Sequence, residues 1–121
     1  MKKYQLSILA SLLLLFSCKK DYLPEEIYVA GIVVSLTTHL PVENVQVVLR
    51  EKNGSFIIGG GIEKTRVETD SSGRYSFVFS TNNTGSYRLT FDKLDYSAYQ
   101  VSIDKSKAIH VINVELPESQ F

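Results

Sequence analysis

Residues 69–79, TDSSGRYSFVF, decide the fold of this chain. The stretch begins with a tight turn, because the side chains of Asp70, Ser71 and Ser72 hydrogen-bond nearby backbone and Gly73 tolerates a positive φ. Tyr75, Phe77 and Phe79 then occupy every second position, which places their side chains on one side of a strand. A strand with such a large aromatic face must be covered by a second sheet.

Short strands of the same kind run along the rest of the chain. The predicted strands are 27–36, 45–50, 62–69, 74–80, 86–92, 99–104 and 109–116, with a short return strand at 56–58 after the Asn53-Gly54 hairpin signal. Beyond the N terminus no window has apolar residues at the 3.6-residue period of a helix. The sequence therefore predicts an all-β, antiparallel β-sandwich of about seven strands, with Gly31 at a bulge or a close approach.

The N terminus has the pattern of a secretory signal. Lys2 and Lys3 precede an apolar run at 6–16, which is shorter than the roughly 20 residues that span a bilayer. The run ends in Leu-Phe-Ser-Cys at 15–18, which resembles the lipobox of bacterial lipoproteins. In that family the leader is cut off before the cysteine, whose thiol then carries a diacylglycerol. The expected organisation is a signal peptide at 1–17, lipidated Cys18 and a tether at 18–26, and a domain at 27–121.

A lipid on Cys18 implies a membrane-bound protein of the Gram-negative envelope, at the outer membrane or the cell surface. One acyl chain anchors a protein only weakly, whereas two give stable attachment. The alternative is that Cys18 is a core residue of an ordinary first helix, but nothing later in the sequence predicts a helix to pack against it.

Composition excludes several classes of function. The 121 residues include 13 basic and 13 acidic ones, and the chain without Lys2 and Lys3 has a net charge of −2. No basic stripe is present to bind nucleic acid. A single cysteine allows no intrachain disulfide. We expect one monomeric domain without a cofactor.

Four stretches together resemble a known family: GIVV at 31–34, LPVENVQVVL at 40–49, TDSSGRYSF at 69–77 and GSYRLTF at 85–91. They are similar to the carboxypeptidase regulatory-like domain, a transthyretin-like (prealbumin-like) β-sandwich, over nearly all of residues 27–116. The resemblance implies a non-catalytic accessory module. Such modules occur beside peptidases, in adhesins and in outer-membrane uptake receptors, and some similar sandwiches bind glycans.

An enzyme is the first alternative. A hydrolase of unrecognised type would use His39 or His110 with nearby acids. No G-x-S-x-G motif or zinc-ligand pattern accompanies either histidine. The Asp70–Gly73 turn lacks the bidentate acid that a calcium loop requires, so no metal site is predicted.

Two stretches are candidate ligand contacts. Phe56, Ile57 and Ile58 lie beside three glycines, and Tyr96 and Tyr99 flank a predicted turn where they would stack on a sugar. The simpler interpretation is that the first group covers an open end of the sandwich and that the tyrosines are strand residues. The predicted function is a tethered binding or assembly module for a glycan, a peptide or a partner protein. A structural envelope scaffold remains a third hypothesis.

Overall fold

The computed structural model describes residues 23–53 and 61–119. Within them the chain forms eight strands and no helix. The strands are β1 (Glu26–Ser35), β2 (Gln46–Asn53), β3 (Ile62–Glu68), β4 (Arg74–Ser80), β5 (Gly85–Asp92), β6 (Tyr99–Ile103), β7 (Ile109–Val111) and β8 (Val114–Leu116). The predicted signal peptide, Cys18 and the predicted return strand at 56–58 lie outside the described residues.

The strands form two sheets of unequal width. The wide sheet has the order β3-β2-β5-β6, and all its neighbours are antiparallel. In the narrow sheet β1 is central, β4 pairs antiparallel on one side, and β7 and β8 pair on the other. The two sheets pack into the predicted all-β sandwich.

The last predicted strand, 109–116, differs from the expectation in two ways. It is divided into β7 and β8, and both run parallel to β1. The interruption lies at Ile112 and Asn113, whose polar groups make other contacts. The Ile112 carbonyl accepts a hydrogen bond from the Tyr75 hydroxyl (2.7 Å), and Asn113 Oδ1 accepts one from the Ile32 N–H (3.0 Å). These contacts join residues far apart in the chain, so strand periodicity could not reveal them.

The core lies between the sheets and is both aliphatic and aromatic. Ile27, Leu49, Leu89 and Phe91 are fully buried. The aromatic row of β4 is buried as predicted. Its rings contact those of β5, with the ring centroids of Tyr75 and Phe91 5.4 Å apart and those of Phe79 and Tyr87 4.9 Å apart. The buried aromatic residues of the two strands are Tyr75, Phe77, Phe79, Tyr87 and Phe91.

The turn at 70–73 forms as predicted, and Asp70 supplies its side-chain hydrogen bonds. Asp70 Oδ1 accepts hydrogen bonds from the N–H groups of Ser72 and Arg74, both at 2.9 Å. Gly73 has a φ of 73°, and a Cβ at that position would lie 2.4 Å from the Val33 carbonyl oxygen. The turn thus packs against β1 at a point where only glycine fits.

Gly73→Val should therefore destabilise the domain by about 2–4 kcal/mol, because a β-branched residue is strained at positive φ and meets backbone. Urea unfolding followed by circular dichroism measures the change. Ser72→Ala, which alters an exposed side chain in the same turn, is the matched control and should change stability by less than about 0.5 kcal/mol. Equal stability of the two variants would contradict this account of the turn.

Gly31 marks the predicted close approach in β1. A Cβ there would lie 1.8 Å from the Ile112 carbonyl oxygen and 3.0 Å from the Tyr75 hydroxyl. The missing side chain leaves room for the hydrogen bond between those two groups, which links β4 to the β7–β8 junction across β1. Burial raises the pKa of Tyr75 well above its usual value.

This burial predicts a loss of stability at high pH. The unfolded chain releases the Tyr75 proton near pH 10, whereas the folded chain keeps it, so unfolding becomes easier as pH rises above about 10. Tyr75→Phe should lower stability at pH 8 by about 1–2 kcal/mol, since the Ile112 carbonyl loses its partner. The same variant should lose less stability than the wild type between pH 8 and 11. Denaturant midpoints at both pH values measure this, and parallel losses in the two proteins would refute it.

Candidate functional site

The outer surfaces of the two sheets differ in polarity. On the wide sheet the outward side chains are mostly polar, including Gln46, Arg50, Arg88, Thr90 and Gln100. On the narrow sheet they are mostly apolar and remain exposed: Tyr28, Ile32, Val78, Ile109 and Val111. We call these five residues the apolar face. A one-domain sandwich usually has polar residues on its solvated faces, so the narrow sheet is the unusual one.

The strand register makes the apolar face continuous. Val78 of β4 and Ile109 of β7 both pair with Tyr28 of β1, which forms one row across three strands. The next row contains Ala30 flanked by Val111 and Ser76. Ile109 and Val111 are 69% and 72% exposed, so each of the two rows ends at β7 with one aliphatic side chain in solvent.

An open groove of about 820 Å³ runs over this region. Its floor includes Tyr28, Ala30 and Ile32, and charged or polar groups of Asp70, Arg74 and Asn113 lie along it. Such a surface accepts apolar side chains on its floor and polar or charged groups at its margin.

The sequence-predicted tyrosines have different environments. Tyr96 is partly buried against the core and is bridged to Glu118 by backbone pairing. It lines a smaller groove of about 430 Å³, together with Leu94 and Asp95 of the β5–β6 turn. Tyr99 is 42% exposed and lies on the core side of β6, with its ring centroid 6.3 Å from that of Phe91. Tyr99 does not line the groove that Tyr96 lines, and sugar stacking on either tyrosine stays a prediction. Phe56, Ile57 and Ile58 lie outside the described residues.

The two histidines lie near opposite ends of β1. His110 pairs with Val29 near its start, whereas His39 follows Ser35, its last residue, in the connection to β2. His110 Nε2 bonds the backbone carbonyls of Asp104 (2.9 Å) and Lys107 (3.1 Å), which holds the β6–β7 turn together.

The nearby acid Asp104 accepts hydrogen bonds from Ser106 and also interacts electrostatically with His110. Hydrogen bonds from the Ser106 hydroxyl and N–H lower the pKa of the Asp104 carboxyl. The fold therefore does not assemble His39 and His110 into one constellation. Across residues 23–53 and 61–119, no three His, Cys, Asp or Glu side chains group as ligands for a metal ion. A search of the same residues found no helix with the length and hydropathy to cross a membrane.

Sequence reasoning missed the apolar face. The sequence predicts a strand at 27–36 without distinguishing its two faces, and the structure places Ile27, Val29 and Val33 in the core. The signal was present in the alternate positions, where Tyr28 and Ile32 are apolar too. A strand that is apolar on both faces is typical of one covered on both sides.

Comparisons with known proteins identify the fold. No protein-family model and no curated protein sequence matches the chain. Among solved structures, 5-hydroxyisourate hydrolase of Klebsiella pneumoniae is similar with a TM-score of 0.58 and 15% identity, over 78% of this chain and 92% of that one. The C-terminal domain of the shaft pilin SpaA of Lactobacillus rhamnosus GG is similar with a TM-score of 0.55 and 13% identity, over 79% and 100%. The domain has a transthyretin-like β-sandwich fold.

The similarity extends to a further enzyme. 3-Chlorocatechol 1,2-dioxygenase of Rhodococcus opacus 1CP matches with a TM-score of 0.55 and 11% identity, over 82% of this chain and 62% of that one. A pilin and two enzymes thus share this transthyretin-like architecture at identities that establish the fold alone. Function must therefore be argued from the surface of this particular domain.

Proposed function

We propose that this protein is a non-catalytic lipoprotein, anchored by a lipid on Cys18, that presents its transthyretin-like domain as a protein-binding or assembly module at the outer membrane or cell surface. The observation that carries the binding role is the apolar face of the narrow sheet. The lipobox-like sequence at 15–18 supports the anchor. The shaft-pilin domain with the same architecture is a precedent for such a sandwich in a surface assembly.

The apolar face is large enough to drive association. Its five side chains expose on the order of 500 Å², near the upper limit for an apolar patch on a monomer. Burying that area would contribute about 10 kcal/mol before the costs of association are subtracted. Those costs are of similar size, so the affinity depends on how well a partner fits the groove and its polar margin.

A protein or peptide fits this surface better than a glycan does. Sugar rings stack on flat aromatic side chains, and Tyr28 is the one aromatic residue of the five in the apolar face. Aliphatic side chains such as Ile109 and Val111 instead favour the apolar side chains of another polypeptide. Arg74 and Asp70 at the groove offer both signs of charge to the margin of a partner.

The tether enters beside the apolar face. The Thr81 N–H donates to the Glu25 carbonyl (2.9 Å), and the Thr81 hydroxyl donates to the Pro24 carbonyl (2.5 Å). These bonds hold the chain that precedes β1 against the end of β4. The row of Val78, Tyr28 and Ile109 lies at this same end of the sheet. A partner on the face would thus lie close to Pro24 and Glu25, in the segment predicted to be the tether.

The anchor is tested at Cys18. Cells fed an alkyne-labelled fatty acid should incorporate it into the wild-type protein, and Cys18→Ala should lose all of the label, because no other residue offers a thiol. Cys18→Ser, in which a hydroxyl replaces the thiol, is the control closest to cysteine in size and should also be unlabelled. Label on either variant, or its absence from the wild type, would contradict lipidation at this position.

The binding role is tested by placing a photo-crosslinking residue at Val111 in the membrane-bound protein. A discrete cross-linked envelope protein is expected, since this side chain protrudes from the apolar face. The same residue at Ser102, an exposed position on the outer surface of the wide sheet, is the control and should give at least about tenfold less product. Identical products from the two positions, or none from Val111, would refute the assigned face.

A further inference from the structure

Among the described residues, the outer edge of β4 has no strand paired with it, which leaves a row of backbone groups without a ladder partner. The Val33 N–H donates to the Gly73 carbonyl (2.8 Å), and the Thr81 N–H donates to the Glu25 carbonyl (2.9 Å). These two bonds show which residues of β4 direct their backbone groups toward β1. By this alternation the N–H and C=O groups of Tyr75, Phe77 and Phe79 point toward β1. The same groups of Ser76, Val78 and Ser80 point away from the sheet. In the described part of the chain, β1 is the strand with which β4 pairs.

This edge lacks the features that keep edge strands apart. Natural edges are protected by charge, proline, a bulge or short length. The β3 edge of the wide sheet has four charged residues among its seven, Glu63, Lys64, Arg66 and Glu68, and its pairing with β2 contains an irregularity. By contrast, β4 runs regularly for seven residues, and none of residues 75–80 is charged or a proline.

The edge of β6 is also uncharged but differs in what it would bury. Its outward side chains, Gln100 and Ser102, are polar and exposed. Pairing there would cover no outward apolar side chain. At the centre of the β4 edge lies Val78, which is 52% exposed and belongs to the apolar face.

We propose that two copies of this chain pair antiparallel through β4, about a twofold axis at Val78. This register places Val78 opposite Val78 of the second copy and Ser76 opposite its Ser80. The outward groups of all three residues are then satisfied by about six backbone hydrogen bonds. Arg74 stays outside the pairing. Its N–H and carbonyl need no further partner, because both already form hydrogen bonds with Asp70 in the turn.

The same register is consistent on both faces of the sheet. On the outer face the two Val78 side chains come into contact, and the apolar rows of both copies join into one row across the axis. On the inner face Phe77 of one copy comes opposite Phe79 of the other, so aromatic residues meet aromatic residues. A shift of one residue would put inward aromatics opposite outward side chains, which specifies the register.

Because the interface between the two copies would be small, we expect a weak dimer in dilute solution. One strand pair and its flanking side chains bury less than the roughly 1,200 Å² of a stable complex. Confinement to one membrane raises the effective concentration of the two copies, so this step rests on the proposed lipid anchor. The dimer should therefore be sought in membranes.

Cysteine cross-linking tests the register. Directly opposite residues with outward backbone groups have Cα atoms about 5.5 Å apart, within the range of a disulfide. In membranes of cells that make the full chain, Val78→Cys should form a disulfide-linked dimer on mild oxidation. Ser76→Cys alone should give about tenfold less, because the two copies of that position lie well beyond 7 Å from each other. Two differently tagged chains, one Ser76→Cys and the other Ser80→Cys, should cross-link to each other when made together.

The controls separate the outcomes. The wild-type chain reports any dimer formed through Cys18, and the fatty-acid label in the same membranes shows whether the anchor is present. Equal yields from Val78→Cys and Ser76→Cys would indicate random collision and overturn the proposal. A cross-linked product that contains a different protein would assign the β4 edge to that partner and would also overturn it. No dimer from labelled, anchored Val78→Cys refutes the pairing without affecting the anchor.

Discussion

The narrow sheet depends on one hydrogen bond that passes under a glycine. The Tyr75 hydroxyl donates to the Ile112 carbonyl in the space that Gly31 leaves free. This contact joins β4 to the β7–β8 junction across β1, so all parts of the narrow sheet meet at one point. It is also where the chain leaves the parallel ladder. Leaving this part-buried carbonyl unpaired would cost about 1–3 kcal/mol. The Tyr75 hydroxyl pairs it, and only a glycine at position 31 leaves space for that bond.

The narrow sheet also concentrates the features that suggest function. Its central strand is apolar on both faces, one against the core and one against solvent. Its β4 edge is long and uncharged, whereas the β3 edge of the wide sheet is charged. The wide sheet therefore has a mostly polar outer surface, whereas the narrow sheet carries the exposed apolar face on which the proposed binding role rests. Pro24 and Glu25, which precede β1 and are held by Thr81 at the end of β4, adjoin this surface.

The comparisons show why the fold alone is not informative about activity. A pilin domain, a hydrolase and a dioxygenase all share this arrangement of strands. What distinguishes the present domain is its outer surface. His110 stabilises a turn through backbone carbonyls, and His39 lies at the other end of β1. These features of the surface, and not the shared fold, are the basis of the function proposed above.

The sequence by itself determined the all-β class, the turn at 70–73 and the inward aromatic row of β4, because turn chemistry and strand alternation act over a few neighbouring residues. It also marked Gly31 as a special position. The tertiary arrangement alone established that β7 and β8 run parallel to β1, that Ile109 and Val111 lie with Tyr28 on one exposed apolar face, and that Tyr99 does not line the groove that Tyr96 lines. Each of these depends on which distant strands become neighbours. That choice follows from packing between residues far apart in the chain, 81 positions in the case of the Asn113–Ile32 contact, and local pattern contains no information about it.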